Sequence, residues 1–160
     1  MNIIESISLR PATDDDQEFL LDLYKSGRGD DLRELGWDEP RITEFLEMQY
    51  EAHQNFLRDD YSNADDQIVL LEGLAVGHLS IEHRPNEIRL VDVSLLADHR
   101  NRGVGTLLVQ QVQEQSAAAK RPLRVQVIRF NRAAGLFERL GFRRTSETGT
   151  HFQMEWLPTP

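Results

Sequence analysis

The stretch Leu95-Leu96-Ala97-Asp98-His99-Arg100-Asn101-Arg102-Gly103-Val104-Gly105-Thr106 has the residue types needed to hold a phosphate group. It runs from an apolar strand pattern through a basic, glycine-containing turn into a helical pattern. Gly103 and Gly105 let the backbone pass close to a ligand with no side chain in the way. The next helix offers unpaired N–H groups and the positive end of its dipole. Arg100 and Arg102 add cationic charge at the same place. Such a turn suits a pyrophosphate, although a lone G-x-G also occurs in ordinary strand-to-helix turns. Two nucleotide-binding patterns fail here. A dinucleotide fingerprint needs a third glycine where Leu108 stands, and an acidic residue about 20 positions further on, which is missing. A Walker turn needs Gly-Lys-Ser or Gly-Lys-Thr, which is absent.

The elements that must position this turn are legible in the patterns around it. Residues 3–10 alternate apolar and polar side chains and read as a strand. Thr13 has the character of an N-cap, with Asp14, Asp15 and Asp16 in the first turn of a helix that buries Phe19, Leu20, Leu23 and Tyr24 and stops at Gly27 and Gly29. Pro40 opens a second helix with Ile42, Phe45, Leu46, Ala52 and Phe56 on one face. Gln49 and His53 fall on or beside that face and need partners there, in the core or at the edge of a crevice. Residues 67–72, 74–83 and 87–96 read as three strands joined by turns at Gly73 and Pro85-Asn86, an antiparallel meander. A helix with Val104, Leu107, Leu108 and Val112 on one stripe then runs to Lys120-Arg121-Pro122. Residues 123–128 form a buried strand, 131–140 a short amphipathic helix ended by Gly141, and 142–147 with 151–156 a hairpin around Gly149. The order is that of one α/β domain, residues 1–160, around a mixed sheet.

Composition narrows the function classes. The net charge of −9 argues against nucleic acid or an anionic membrane surface as a partner. The charge is unevenly spread: residues 1–66 carry 6 basic and 18 acidic side chains, residues 67–160 carry 12 and 9. With no cysteine, thiolate metal sites and a cysteine nucleophile are excluded, and a reducing compartment fits. The longest apolar run, Ile68-Val69-Leu70-Leu71, falls far short of the ~20 residues of a membrane span, and the N-terminus has no secretory pattern. A soluble, cytoplasmic protein is expected.

The residues resemble the GNAT superfamily of acetyl-CoA-dependent N-acetyltransferases. Its acyl-CoA motif, R/Q-x-x-G-x-G/A, is matched by Arg100-Asn101-Arg102-Gly103-Val104-Gly105 after the fourth strand, and a second pattern, N-x-A-A-x-x-[YF]-x-x-x-G-F, by Asn131, Ala133, Ala134, Phe137, Gly141 and Phe142. The resemblance covers roughly residues 66–157. It implies the GNAT fold: one mixed, mostly antiparallel central sheet of about six to seven strands, flanked by about four helices and splayed at the fourth and fifth strands. It also implies that backbone groups of Leu95 and Leu96 pair with the pantetheine arm. The N–H groups of Arg102, Gly103, Val104, Gly105 and Thr106 would hold the pyrophosphate, Asn131 would steady the cofactor, and a backbone N–H near Leu95 would face the thioester oxygen. The resemblance also places Arg100, Asn101 and Phe137 among the cofactor-binding positions, although family members commonly carry a thiolate-protonating Tyr where Phe137 stands. Phe137 cannot donate a proton and belongs to the apolar stripe of Ala133 and Leu140.

The implied reaction moves acetyl from acetyl-CoA to a primary amine of a small molecule, by direct attack in a ternary complex and with no metal. An ammonium acceptor must lose a proton first, and a carboxylate can take it directly or through one water. Asp92 on the fourth strand is the first candidate, at a position where relatives often place an acidic residue; Glu82 on the third strand is second and His78 third. The alternatives are transfer to a peptide or protein N-terminus, and a non-catalytic acyl-CoA-binding module. The resemblance also allows a homodimer.

Overall fold

A computed structural model describes residues 6–128 and 133–159. Its core is a seven-stranded sheet in the order β1-β2-β3-β4-β5-β7-β6, from β1 (Ile7–Pro11), β2 (Asp65–Leu71), β3 (Leu74–His83), β4 (Ile88–Leu95), β5 (Leu123–Ile128), β6 (Arg143–Glu147) and β7 (His151–Trp156). Every neighbouring pair is antiparallel except β4–β5. The described residues form five α-helices: α1 (Gln17–Lys25), α2 (Asp30–Glu34), α3 (Glu39–Asp60), α4 (Val104–Ala119) and α5 (Ala133–Arg139). α2 lies between Gly29 and Pro40, a stretch to which the sequence pattern assigns no element. At five residues it is too short to carry a hydrophobic period, and it buries no side chain.

The chain enters the first helix as its sequence dictates. Thr13 accepts from the Asp15 N–H at 3.3 Å while the Asp16 carboxylate accepts the Thr13 N–H at 2.8 Å, a reciprocal cap over a short 3-10 turn at Asp14–Asp16. Arg10 on β1 grips both Asp16 oxygens at 2.9 and 2.7 Å. This pair and the Thr13 N–H hold the Asp16 carboxyl down to about 2. Asp38 caps α3 by accepting the Arg41 N–H at 2.9 Å, with Pro40 in the first turn. Only Ile42 and Leu46 of α3 are buried, while Ala52, Phe56 and Gln49 are exposed. The apolar face read from the sequence thus leaves the core after Leu46, and the face of the second half that bears Tyr50, His53 and Leu57 borders an opening instead.

The main core lies on one face of the sheet. Val69, Leu79, Ile81, Ile88, Leu90, Leu123, Val125, Phe152 and Met154 meet Val104, Leu108, Val109 and Val112 of α4. Leu107 is only half-buried, so the stripe of α4 is turned slightly from the one read in its sequence. Lys120 ends the helix in the left-handed conformation (φ 56°), its N–H bonded to Ala117 O and Ser116 O.

Two irregularities of β4 shape the cleft face of the sheet. Ser80 pairs with Asp92 but Ile81 pairs with Leu90, so Val91 is an extra residue in β4. β4 also pairs with β5 only through Ile88, Arg89 and Leu90 opposite Leu123, Arg124 and Val125. Beyond these the two strands part, as the resemblance implied.

Candidate active site

The parting of β4 and β5 opens a cleft of about 1180 Å³ roofed by α1 and α3. Its floor at the open end of the split is backbone. The Leu96 N–H donates to Val76 O at 2.9 Å, toward β3. By strand alternation the amide groups of Val93 and Leu95 then face the β5 side, where pairing has ended. Leu95 lines the cleft, and its carbonyl accepts Arg100 Nε at 3.0 Å. Leu96 is tied back to β3.

At one end of the cleft stands the N-terminus of α4. Gly103 is its N-cap in the left-handed region (φ 86°), preceded by Asn101 at φ 62°. The first intrahelical bond is Leu107 N–H to Gly103 O at 3.1 Å, so the N–H groups of Val104, Gly105 and Thr106 precede it. Unlike the helix starts at Thr13 and Asp38, this one is capped by no side chain of the described residues. A Cβ on Gly105 would meet only Leu136 Cδ2, at 3.7 Å. Asn101, Gly103, Gly105 and Thr106 line the cleft here, whereas Val104 is core and Arg102 points to solvent. This open, uncapped terminus has the donors and the room for a pyrophosphate.

Arg100 lines the cleft and is also bonded to backbone across it. Its Nη2 donates to Ser26 O at 3.1 Å, and the Ala97 N–H donates to Ser26 Oγ at 2.9 Å. These bonds strap the end of β4 to the loop after α1. A Cβ on Gly27 (φ 77°) would lie 2.8 Å from Arg100 Nη1, so the glycine admits the guanidinium. Asn131 lies outside the described residues. Phe137 is 2% exposed and packs on Phe142 with ring centroids 5.1 Å apart, while Ala133, Leu136 and Arg139 of the same helix line the cleft. The ring follows the apolar stripe into the core. Phe137→Ala is expected to lower stability by about 3–5 kcal/mol in urea denaturation, the cost of a core cavity.

The other end of the cleft is polar and acidic. His78 on β3 lies between two carboxylates, Nδ1 2.7 Å from Asp92 Oδ2 on β4 and Nε2 2.9 Å from Asp66 Oδ1 on β2. Ser94 Oγ donates to Asp92 Oδ1 at 2.7 Å. The bulge at Val91 creates this cluster. In an unbulged ladder Val91 would pair with Ser80 and Asp92 would fall opposite Leu79, on the core face; with Val91 bulged out, Asp92 joins Ser80, His78 and Ser94 on the cleft face. Burial works to lower the His78 pKa, but the hydrogen bonds to Asp66 and Asp92 outweigh it and raise it to about 9. Asp66 is correspondingly held below the usual carboxylate range, chiefly by His78. At neutral pH His78 is an imidazolium with both N–H groups engaged.

This ion triad ties three adjacent strands together, with a defined pH dependence. His78 has a folded pKa of about 9 against 6.5 for the free group. Its contribution, on the order of 3 kcal/mol, is fully present below the unfolded pKa and is lost as pH rises through the folded one. The stability gap between wild type and His78→Gln should therefore shrink between about pH 6.5 and about pH 9 in parallel denaturant melts. A gap constant over that range would show that His78 is not an imidazolium.

Glu82 lies farther along β3, beyond the bulge, under the C-terminal end of α3. It is bound by Arg84 and accepts the Asn63 N–H at 3.3 Å, and Arg84 reaches on to Asp60 O at 3.1 Å. It is 6% exposed and is not part of the cleft lining. Asp92 and His78 are in the cleft, joined by Asp66 and Ser94, which carry no sequence signal because their role depends on register. The roof above them is aromatic: Tyr24 meets Tyr50 at 5.4 Å and His53 at 5.8 Å, with the Arg28 guanidinium 4.0 Å from the Tyr24 ring centre.

An open mixed sheet split between two parallel strands, with an uncapped helix N-terminus at the mouth of the split, is the fold of the acyl-CoA-dependent N-acetyltransferases. The chain belongs to the acetyltransferase (GNAT) domain family, whose model matches residues 62–144. Solved structures share the fold at low identity. PaiA N-acetyltransferase from Thermoplasma acidophilum, in complex with coenzyme A, is 16% identical with a TM-score of 0.71 over 95% of this chain and 99% of that one. The ribosomal-protein-S18-alanine N-acetyltransferase of Escherichia coli is 14% identical with a TM-score of 0.66 over 96% of each chain. Arabidopsis thaliana Naa50, in complex with the bisubstrate analogue CoA-Ac-MVNAL, is 15% identical with a TM-score of 0.61 over 94% of this chain and 98% of that one. No curated protein matches the chain significantly. Among the described residues no helix is long and apolar enough to cross a membrane.

Proposed function

We propose that this protein transfers the acetyl group of acetyl-CoA to a primary amine of a small molecule, by direct attack in a ternary complex. One observation carries the reading: a single cleft joins the uncapped terminus at Gly103–Thr106 to the Asp66, His78 and Asp92 cluster, by way of the splay between β4 and β5. Pyrophosphate at the helix and pantetheine along Val93 and Leu95 would bring the thioester to the foot of the acidic cluster. By strand alternation the Leu95 N–H faces the open β5 side, which supports its use as the donor to the thioester oxygen. The two carboxylates around one imidazolium leave a net negative charge, which attracts an ammonium acceptor. Tyr24, Tyr50 and Tyr61 bound this end and favour a small acceptor over a long peptide. The absence of cysteine accords with direct attack and with a cytoplasmic setting.

The test is time-dependent release of CoA thiol from acetyl-CoA with a panel of small amines and short peptides. Release with small amines is expected. Release with peptides alone would make the protein a peptide N-acetyltransferase. Tight acetyl-CoA binding without release would make it an acyl-CoA-binding module.

A further inference from the structure

His53, on the second half of α3 and exposed to solvent, lines the cleft near Asp92 and His78. Its ring is positioned by stacking on Tyr24, with centroids 5.8 Å apart and planes at 29°, and Tyr24 is held in turn by Tyr50 and Arg28. Neither ring nitrogen of His53 is hydrogen-bonded among the described residues. The groups opposite are differently engaged. Asp92 receives His78 Nδ1–H on one oxygen and the Ser94 hydroxyl on the other, and His78 has no ring nitrogen to spare. The cleft thus contains a paired carboxylate suited to holding a cation, and across from it an imidazole with a vacant lone pair.

We propose that His53 is the general base that deprotonates the acceptor, and that Asp92 binds the acceptor's ammonium instead of taking its proton. This rests on the acetyltransferase reading above. The acceptor enters as an alkylammonium beside Asp92 and passes one proton to the free lone pair of the His53 ring, directly or through one water. The neutral nitrogen then bonds to the thioester carbonyl carbon. The C–S bond breaks with its electron pair going to sulfur, and the nitrogen's second proton goes to the thiolate to give CoA–SH. His53 returns its proton to solvent, leaving the amide, CoA–SH and one released proton.

The electrostatics agree with this division of labour. Facing His53 are Tyr24 and Arg28 from α1 and the loop after it, Asp66, His78 and Asp92 from the sheet, and Tyr50 and Arg58 on its own helix. Partial desolvation by the surrounding protein lowers the His53 pKa. Asp92 pulls it up, and the Arg28 and His78 cations push it down again, for a net fall below 6.5. His53 is therefore unprotonated at neutral pH. His78, on the sheet, is charged at the same pH because both its nitrogens face carboxylates.

The experiment compares full-length wild type with His53→Gln, whose amide cannot take a proton. Acetyl transfer to butylamine, diaminobutane and a short alanine-terminated peptide is followed by thiol release from about pH 6.5 to about pH 8.5, with acetyl-CoA affinity measured by calorimetry. The expected result is a ~10²–10⁴-fold loss in turnover at neutral pH, with acetyl-CoA affinity kept. The loss should narrow as pH rises, because the variant depends on solvent to make the free amine while wild type does not. Parallel pH profiles, a loss under about threefold, or a loss that tracks weaker acetyl-CoA binding would overturn the assignment while leaving the enzyme an acetyltransferase. A wild type that releases no thiol with any amine would instead overturn the acetyltransferase reading itself.

Discussion

Gly105→Leu should leave the protein folded and abolish acetyl-CoA binding. The two halves of this expectation have separate causes. Gly105 is in the first turn of α4, has a negative φ, and a Cβ there meets only Leu136 Cδ2 at 3.7 Å. Replacing glycine by leucine in a helix recovers up to about 1 kcal/mol of propensity, so melting should hold or rise. The new side chain, however, stands in the space in front of the Val104, Gly105 and Thr106 N–H groups, which a pyrophosphate must enter to be bonded by them. A loss of at least about 100-fold in affinity is expected by calorimetry, the equivalent of about 2.7 kcal/mol. Gly103 gives a less clean test, because its φ of 86° makes any substitution strained even though nothing lies within 4 Å of the added Cβ. Unchanged affinity in a folded Gly105→Leu would remove the pyrophosphate from this terminus.

The sequence speaks clearly where structure is local. Thr13 with Asp16, Asp38 with Pro40, and Gly103 with Gly105 announce helix starts because capping and backbone freedom are properties of a few neighbouring residues. The meander and the order of elements are equally legible from alternation and turn residues. The illegible part depends on register. A single extra residue in β4 turns Asp92 from the core face to the cleft, and nothing in Leu90-Val91-Asp92-Val93 marks the bulge. Ser94 gains its role from the same pairing, and Asp66 from the register of β2 on β3. Arg100 illustrates the converse. Its charge beside two glycines points to a phosphate, yet its guanidinium bonds the Leu95 and Ser26 carbonyls, and the Ser26 partner, distant in sequence, is brought near only by the packed loop after α1. His53 stands out in the sequence as a polar group on an apolar face. Its cleft position arises from α3 running past the core after Leu46, which the helical period alone does not reveal.

Asp92→Asn should weaken acceptor use in a way distinguishable from the loss of a base. The amide keeps the size of the carboxylate and can still accept from the Ser94 hydroxyl, but it removes one of the two negative charges beside His78. The cluster of Asp66 and His78 that remains is then close to neutral, and an ammonium loses the partner that attracts it. The KM for an alkylamine should rise at least about tenfold, with a further loss in turnover from an acceptor no longer held in line. Acetyl-CoA affinity should not change, because the pyrophosphate terminus is at the far end of the cleft. Losing a partner, His78 should also titrate lower, so the pH at which the triad ceases to stabilise the sheet should fall below that of wild type. Glu82→Gln supplies the contrast. Its bonds to Arg84 and the Asn63 N–H fasten the end of α3 to the sheet outside the cleft, so it should lower the melting temperature with little change in KM. If Asp92→Asn instead keeps the wild-type KM and loses turnover with a steeper pH profile, the carboxylate is taking the proton itself, and His53 is a wall of the acceptor site and nothing more.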